Sequence, residues 1–128
     1  MPKVDLDALE PTNRTGYPPP FNEPVVGRWQ RKVGEAAGLS ELGARYVVLE
    51  PGAWSSQRHW HEGEDELLVM LSGSAVLVED GSEIVLSPGD VAAWAQGRAQ
   101  RPSSDQSRRR AVQLRLRQRG QGARRLLF

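Results

Sequence analysis

From Ala44 onward the chain alternates short β-rich runs with turn dipeptides, and this punctuation limits the possible folds more than any other feature. Arg45 to Glu50 stops at Pro51-Gly52, Glu66 to Leu71 at Ser72-Gly73, and Ala75 to Glu79 at Asp80-Gly81. Glu83 to Leu86 stops at Ser87-Pro88-Gly89-Asp90, and Val91 to Trp94 begins a fifth run. Branched and aromatic side chains favour extended backbone, while Pro and Gly supply the special turn geometries that end it. Short strands joined by tight turns at this spacing predict an all-β protein, an antiparallel sandwich or barrel. Ala111 to Arg117 alternates apolar and polar residues with period two and is suited to a closing strand. With 128 residues, of which 13 are Gly and 9 Pro, one turn-rich domain with a modest core fits and a second full domain does not.

Residues 1 to 24 read as an extended N-terminal arm. The run Tyr17-Pro18-Pro19-Pro20-Phe21 cannot be helix interior, because proline removes donors and drives its predecessor toward extended backbone. Tyr17 and Phe21 are the expected anchors of this arm, on the domain or on a partner subunit. Between Arg28 and Leu42 the pattern allows a short strand near Trp29 and a turn at Gly38. The expected organisation is an arm and packing segment over 1 to 43, a barrel over 44 to 119 and a tail over 120 to 128. The sequence has no cysteine, which excludes disulfides and thiolate chemistry. The first residues lack the basic start and apolar run of a signal peptide, and no run is long enough to span a membrane. A cytoplasmic protein with no membrane association is the expectation.

The chemistry concentrates in Arg58-His59-Trp60-His61-Glu62-Gly63-Glu64-Asp65-Glu66, which holds both histidines of the chain. Side chains alternate along a strand, so His59 and His61 would share a face, and a carboxylate a few residues on can complete a pocket. Two imidazoles and a carboxylate with open positions form the ligand set of a divalent metal, Fe(II), Mn(II), Ni(II) or Zn(II), rather than of a closed structural zinc site. The spacing alone serves equally for two surface histidines in an acidic loop. Trp54, Trp60 and Trp94 could line a cavity, although aromatic residues in a small barrel more often fill its core.

These residues resemble the cupin family. Its first motif runs approximately G-x5-H-x-H-x3,4-E-x6-G; here Gly52 is followed by six residues, His59, Trp60, His61, four residues, Glu66, six residues and Gly73. Leu86 to Asp90 matches the turn before the second motif. The resemblance implies a double-stranded β-helix, or jelly-roll barrel, in which His59, His61 and Glu66 hold a metal. A fourth ligand from a second-motif histidine is absent, and Gln100 is the nearby residue that could supply an amide oxygen instead. Two classes of function follow by resemblance. One is a metal-dependent dioxygenase, isomerase or decarboxylase. The other is a degenerate, non-catalytic module that binds or senses a small molecule, a sugar or a carboxylate. Small cupins also commonly pair, so a homodimer is expected.

Net charge +1 hides an asymmetry: residues 1 to 94 hold 7 Lys+Arg against 15 Asp+Glu, whereas residues 95 to 128 hold 10 Arg, no Lys and Asp105 alone. The tail lacks aromatic interleaving or any nucleic-acid motif, so nucleic-acid binding is not expected. A one-base change of reading frame after Trp94 offers another origin for it. With synonymous bases chosen freely, residues 94 to 106 become Trp-Pro-Lys-Gly-Val-Pro-Asn-Gly-His-His-Leu-Ile-Asn, which restores a P-x-G, a histidine and an Asn four residues beyond it. The alternation of Ala111 to Arg117 favours the tail as translated. Protein expressed from its own gene is expected to show the intact mass of 14.2 kDa belonging to the present tail; another mass would establish the shifted frame.

Overall fold

The strands assemble into one five-stranded antiparallel sheet and two antiparallel ribbons. A computed structural model describes residues 3–55, 59–60, 64–79, 82–95, 99–100 and 109–117. Its elements in chain order are β1 (Arg28–Arg31), the one-turn helix α1 (Val33–Ala36), β2 (Leu42–Leu49), β3 (His59–Trp60) and β4 (Glu64–Ser72). They continue with β5 (Ala75–Glu79), β6 (Ser82–Leu86), β7 (Val91–Trp94), β8 (Ala99–Gln100) and β9 (Arg109–Arg117). The large sheet has the order β1-β2-β9-β4-β7, while β3 pairs with β8 and β5 with β6.

The predicted strands form where the punctuation places them, with β5 and β7 at the predicted bounds and β2, β4 and β6 longer at their N-terminal ends. Four of the predicted turns rest on glycine in the left-handed region, Gly38 at φ 71°, Gly52 at 78°, Gly73 at 74° and Gly89 at 91°, where a side chain would be strained. The Ser87–Asp90 turn is closed twice: the Asp90 N–H donates to the Ser87 carbonyl at 3.0 Å, and the Ser87 N–H to Asp90 Oδ2 at 2.8 Å. The Asp80-Gly81 turn lies outside the described residues. The alternating run near the C-terminus becomes β9, inserted between β2 and β4 and paired along both.

Ahead of the barrel, Tyr17 is partly buried and acts on Arg28, whereas the other expected anchor is not enclosed. Phe21 is 56% exposed, whereas Val25, in a single 3-10 turn over Glu23–Val25, is fully buried. Earlier in the segment, Thr12 and Gln30 exchange backbone hydrogen bonds of 2.9 Å in each direction, so residue 12 adds itself to the free edge of β1. The Arg31 Nε–H donates to the Leu9 carbonyl at 3.1 Å and ties the preceding turn to the same strand. Backbone pairing at an exposed sheet edge holds this segment, which an aromatic-anchor reading of the prolines could not reveal. Among the described residues no helix is long and apolar enough to cross a membrane.

An apolar cluster of Met70, Ala75, Leu86, Ala92 and Trp94, with Leu68 and Leu77 packed against it, fills the space between β4, β7 and the β5–β6 ribbon. Elsewhere α1 approaches β2 closely at Gly34. A Cβ there would lie 2.8 Å from the Ala44 nitrogen and 3.1 Å from the Leu42 oxygen, both backbone atoms that cannot yield. Gly34→Ala is therefore expected to cost about 1–3 kcal/mol through overpacking, measured as a lower urea midpoint at unchanged slope.

Candidate functional site

Register across the large sheet decides which side chains face inward. Gln30 opposes Val47, Val47 opposes Ala111, and Ala111 opposes Met70 on its other side. Directly opposed residues share a face, and alternation carries that face along each strand. Met70 belongs to the apolar cluster and is 2% exposed, so this is the inner face. Arg28 and Gln30 of β1, Arg45 of β2 and Glu66 of β4 all lie on it.

Glu66 sits near the start of β4, opposed by Trp94 on β7 and by Arg115 on β9. It is 3% exposed, a carboxylate on an otherwise apolar stretch with Leu68, Met70, Ala92 and Trp94. Trp94, 7% exposed, is part of the core cluster, as expected for an aromatic residue in a small barrel. The histidine segment enters the structure as the short ribbon β3–β8, in which His59 opposes Gln100 and Trp60 opposes Ala99. The backbone thus brings two of the four candidate metal-ligating residues to directly opposed positions on different strands. His61 lies outside the described residues, as does Arg58. Among the described residues no three His, Cys, Asp or Glu side chains gather into a metal-binding group.

The cationic and amide side chains of the inner face went unnoticed in the sequence. Arg28 is 1% exposed and Gln30 4%. Arg45 Nη1 donates to Gln30 Oε1 at 2.7 Å, and Arg28 Nη1 donates to the Ser55 carbonyl at 2.8 Å. Burial pulls the Arg28 guanidinium down to about 10; Tyr17 partly offsets this, and the like charge of Arg45 adds to it. Arg28 therefore remains a cation at neutral pH. The signal was present in Arg28-Trp29-Gln30-Arg31, but four residues with a polar group on both faces do not say which face is inward.

The segment leading to β3 is fastened to β1 and to the turn before it. The Glu50 N–H donates to the Gly27 carbonyl at 2.9 Å and the Trp54 N–H to the Pro24 carbonyl at 2.8 Å. Gly27 permits the approach, since a Cβ there would stand 2.7 Å from Ala53 Cβ. With Arg28 holding the Ser55 carbonyl, this fixes the chain four residues before His59.

The family model for the cupin domain matches residues 45–109. A solved structure from Silicibacter pomeroyi, described as a sugar phosphate isomerase from a cupin superfamily, is 36% identical with a TM-score of 0.86. That match covers 91% of this chain and 76% of the other. The chain belongs to the cupin family. A second structure, from Acidithiobacillus ferrooxidans and provisionally assigned as a sugar phosphate isomerase, is 26% identical at a TM-score of 0.66, covering 71% of this chain and 60% of that one. A third, described as a predicted oxalate decarboxylase from Thermotoga maritima, is 18% identical with a TM-score of 0.70, and covers 91% of this chain and 99% of that one. At that identity the likeness concerns the cupin jelly-roll fold alone. No curated protein matches the chain.

Replacing Gln30 by Leu in this cupin would leave the inward-facing Arg45 guanidinium without its 2.7 Å acceptor. The expected cost is about 0.5–1.5 kcal/mol, the net worth of one hydrogen bond of a partly buried donor, read as a lower urea midpoint.

Proposed function

We propose that this cupin is a metal-dependent sugar phosphate isomerase. The observation that carries the reading is the 36% identity to the Silicibacter pomeroyi sugar phosphate isomerase over 91% of the chain. The second relative to which the same activity is provisionally assigned adds support. The inner face suits such a ligand, because buried polar groups on an apolar background fix the orientation of a small polar molecule.

His59, His61 and Glu66 would hold the divalent ion, with Gln100 as a further oxygen donor. Support comes from the chemistry of this donor set, two imidazoles and a carboxylate, and from the burial of Glu66 on the inner face. The ion would supply Lewis-acid polarisation of a sugar carbonyl or hydroxyl oxygen. The chain's own contribution is to bind and orient. Leu68, Met70, Ala92 and Trp94 make a dry floor, and in a low-dielectric surrounding a polar contact to substrate counts for more than in water. Arg45 and Gln30, already joined, present a prearranged polar edge at the other end of the same face.

The chain has only two histidines, and this favours a second reading, in which the same inner face binds a sugar phosphate without turning it over. One experiment separates the two. Protein loaded in turn with Fe(II), Mn(II), Ni(II) and Zn(II) is incubated with aldose and ketose phosphates in deuterated water and followed by NMR. Interconversion with at least one metal is expected, together with near-stoichiometric metal by mass spectrometry. Both are expected to fall by about two orders of magnitude in His59→Ala, in line with the loss of a group that stabilises transition-state charge. Binding without interconversion under every metal would assign the binding role instead.

A further inference from the structure

The inner face contains a buried cation that the described protein does not neutralise. Arg28 is 1% exposed, its Nη1 is engaged by the Ser55 carbonyl, and its Nε is buried with no hydrogen-bond partner. Of the side chains that act on it electrostatically, Tyr17 favours its charged form, and the guanidinium of Arg45 raises the cost of keeping Arg28 ionised. Among the described residues no carboxylate forms an ion pair with it. A buried guanidinium is ordinarily accompanied by an anion and by acceptors for its donors, because desolvating the charge is otherwise uncompensated. Arginine is also the side chain best shaped to take a phosphate, through two parallel N–H donors.

The neighbourhood has the remaining parts of an oxyanion receptor. Arg45 lies on the same face two positions beyond Val47, the partner of Gln30, so it is diagonal to Gln30 across the β1–β2 ladder. Its hydrogen bond to Gln30 Oε1 holds that amide in one orientation, with the NH2 group turned away from Arg45 as a further donor. Two guanidinium groups and an amide thus line one edge of the inner face, while Glu66 lies across β9 on β4.

The geometry points to Arg28, with Arg45 and Gln30 beside it, as the anchor for the phosphoryl group of the sugar ligand, an oxyanion whose charge completes this edge of the barrel. The proposal rests on the sugar phosphate reading for the identity of the ligand, but the demand for an oxyanion comes from Arg28 itself. In the loaded protein, phosphoryl oxygens would neutralise the Arg28 guanidinium. A guanidinium shift of a few tenths of an ångström would then give Nε its missing acceptor. The sugar would extend from this edge toward Glu66.

The test uses the full chain and calorimetric titration with four probes: a sugar phosphate, the same sugar without its phosphate, inorganic phosphate alone, and a sugar acid. A sugar acid carrying a carboxylate in place of the phosphate distinguishes the two sources of oxyanion. Wild-type protein is expected to prefer the sugar phosphate over the free sugar by about 30-fold or more, the scale set by losing one partner of a buried charge pair. Arg28→Gln is expected to abolish that preference while the weak affinity for the free sugar stays the same. Arg45→Gln should diminish it, and Arg28→Lys should retain part of it, so a folding defect in one variant does not decide the matter. Where turnover is measurable, the loss should appear in KM for the phosphate ester. An unchanged preference in both Arg28→Gln and Arg45→Gln overturns the proposal, as does a wild type that favours the free sugar. Arg28-dependent binding of inorganic phosphate without any isomerisation would uphold the anchor and refute the isomerase. Isomerisation with the same KM in Arg28→Gln would do the reverse.

Discussion

The strict alternation of side chains along a strand, carried in register from β1 through β2 and β9 to β4, is the constraint on which the rest of this structure depends. Once Met70 is committed to the apolar cluster, Glu66 on the same strand is committed inward with it, and the ladder then commits Arg45, Gln30 and Arg28. A one-residue slip anywhere in that chain of pairings would exchange the polar face for the apolar one across the whole sheet. The position of β9 is therefore decisive. It joins the two halves of the sheet along nine residues, although in the sequence it is the segment farthest from both.

The same constraint divides the interior into two unlike regions. Around β4, β7 and the β5–β6 ribbon the inner side chains are apolar and pack against one another. Along β1 and β2 the apolar Val47 and Leu49 alternate across the ladder with Arg28, Gln30 and Arg45, whose order comes from directed hydrogen bonds, Arg45 to Gln30 and Arg28 to Ser55. Packing is non-directional and tolerates modest change of shape, whereas buried hydrogen bonds fix particular atoms at particular distances. The apolar end is suited to stability and the polar end to recognition, with Glu66 between them.

The polar inner face and the approach to β3 are also joined by hydrogen bonds. Arg28 belongs to the inner face, and its hydrogen bond holds the carbonyl of Ser55, on the approach to His59. The neighbouring backbone bonds from Glu50 and Trp54 to Gly27 and Pro24 fasten the same approach to the segment preceding β1. The residues ahead of the family match at 45–109 thus help to position a strand that lies within it.

Most of the strand pattern was legible in the sequence, because a turn that needs a left-handed glycine, as at Gly52, Gly73 and Gly89, leaves little choice about where a strand must stop. The cupin fold was legible for a related reason, since the spacing of Gly52, His59, His61, Glu66 and Gly73 joins those turns to a recognisable order of polar residues. The segment before Ala44 was read less well. Thr12 reaches β1 through backbone hydrogen bonds, which any residue can make, and Phe21 proved exposed where Val25 is buried. The alternation of Arg28-Trp29-Gln30-Arg31 fixed only that one pair opposes the other. Which pair turns inward was decided by the ladder through Val47 to Met70, a relation among residues distant in the chain. Local sequence thus determined the strands and their turns, because these follow from the conformational limits of individual residues. The buried cationic edge was decided by tertiary structure alone, because facing inward is a property of the assembled sheet and not of any one strand.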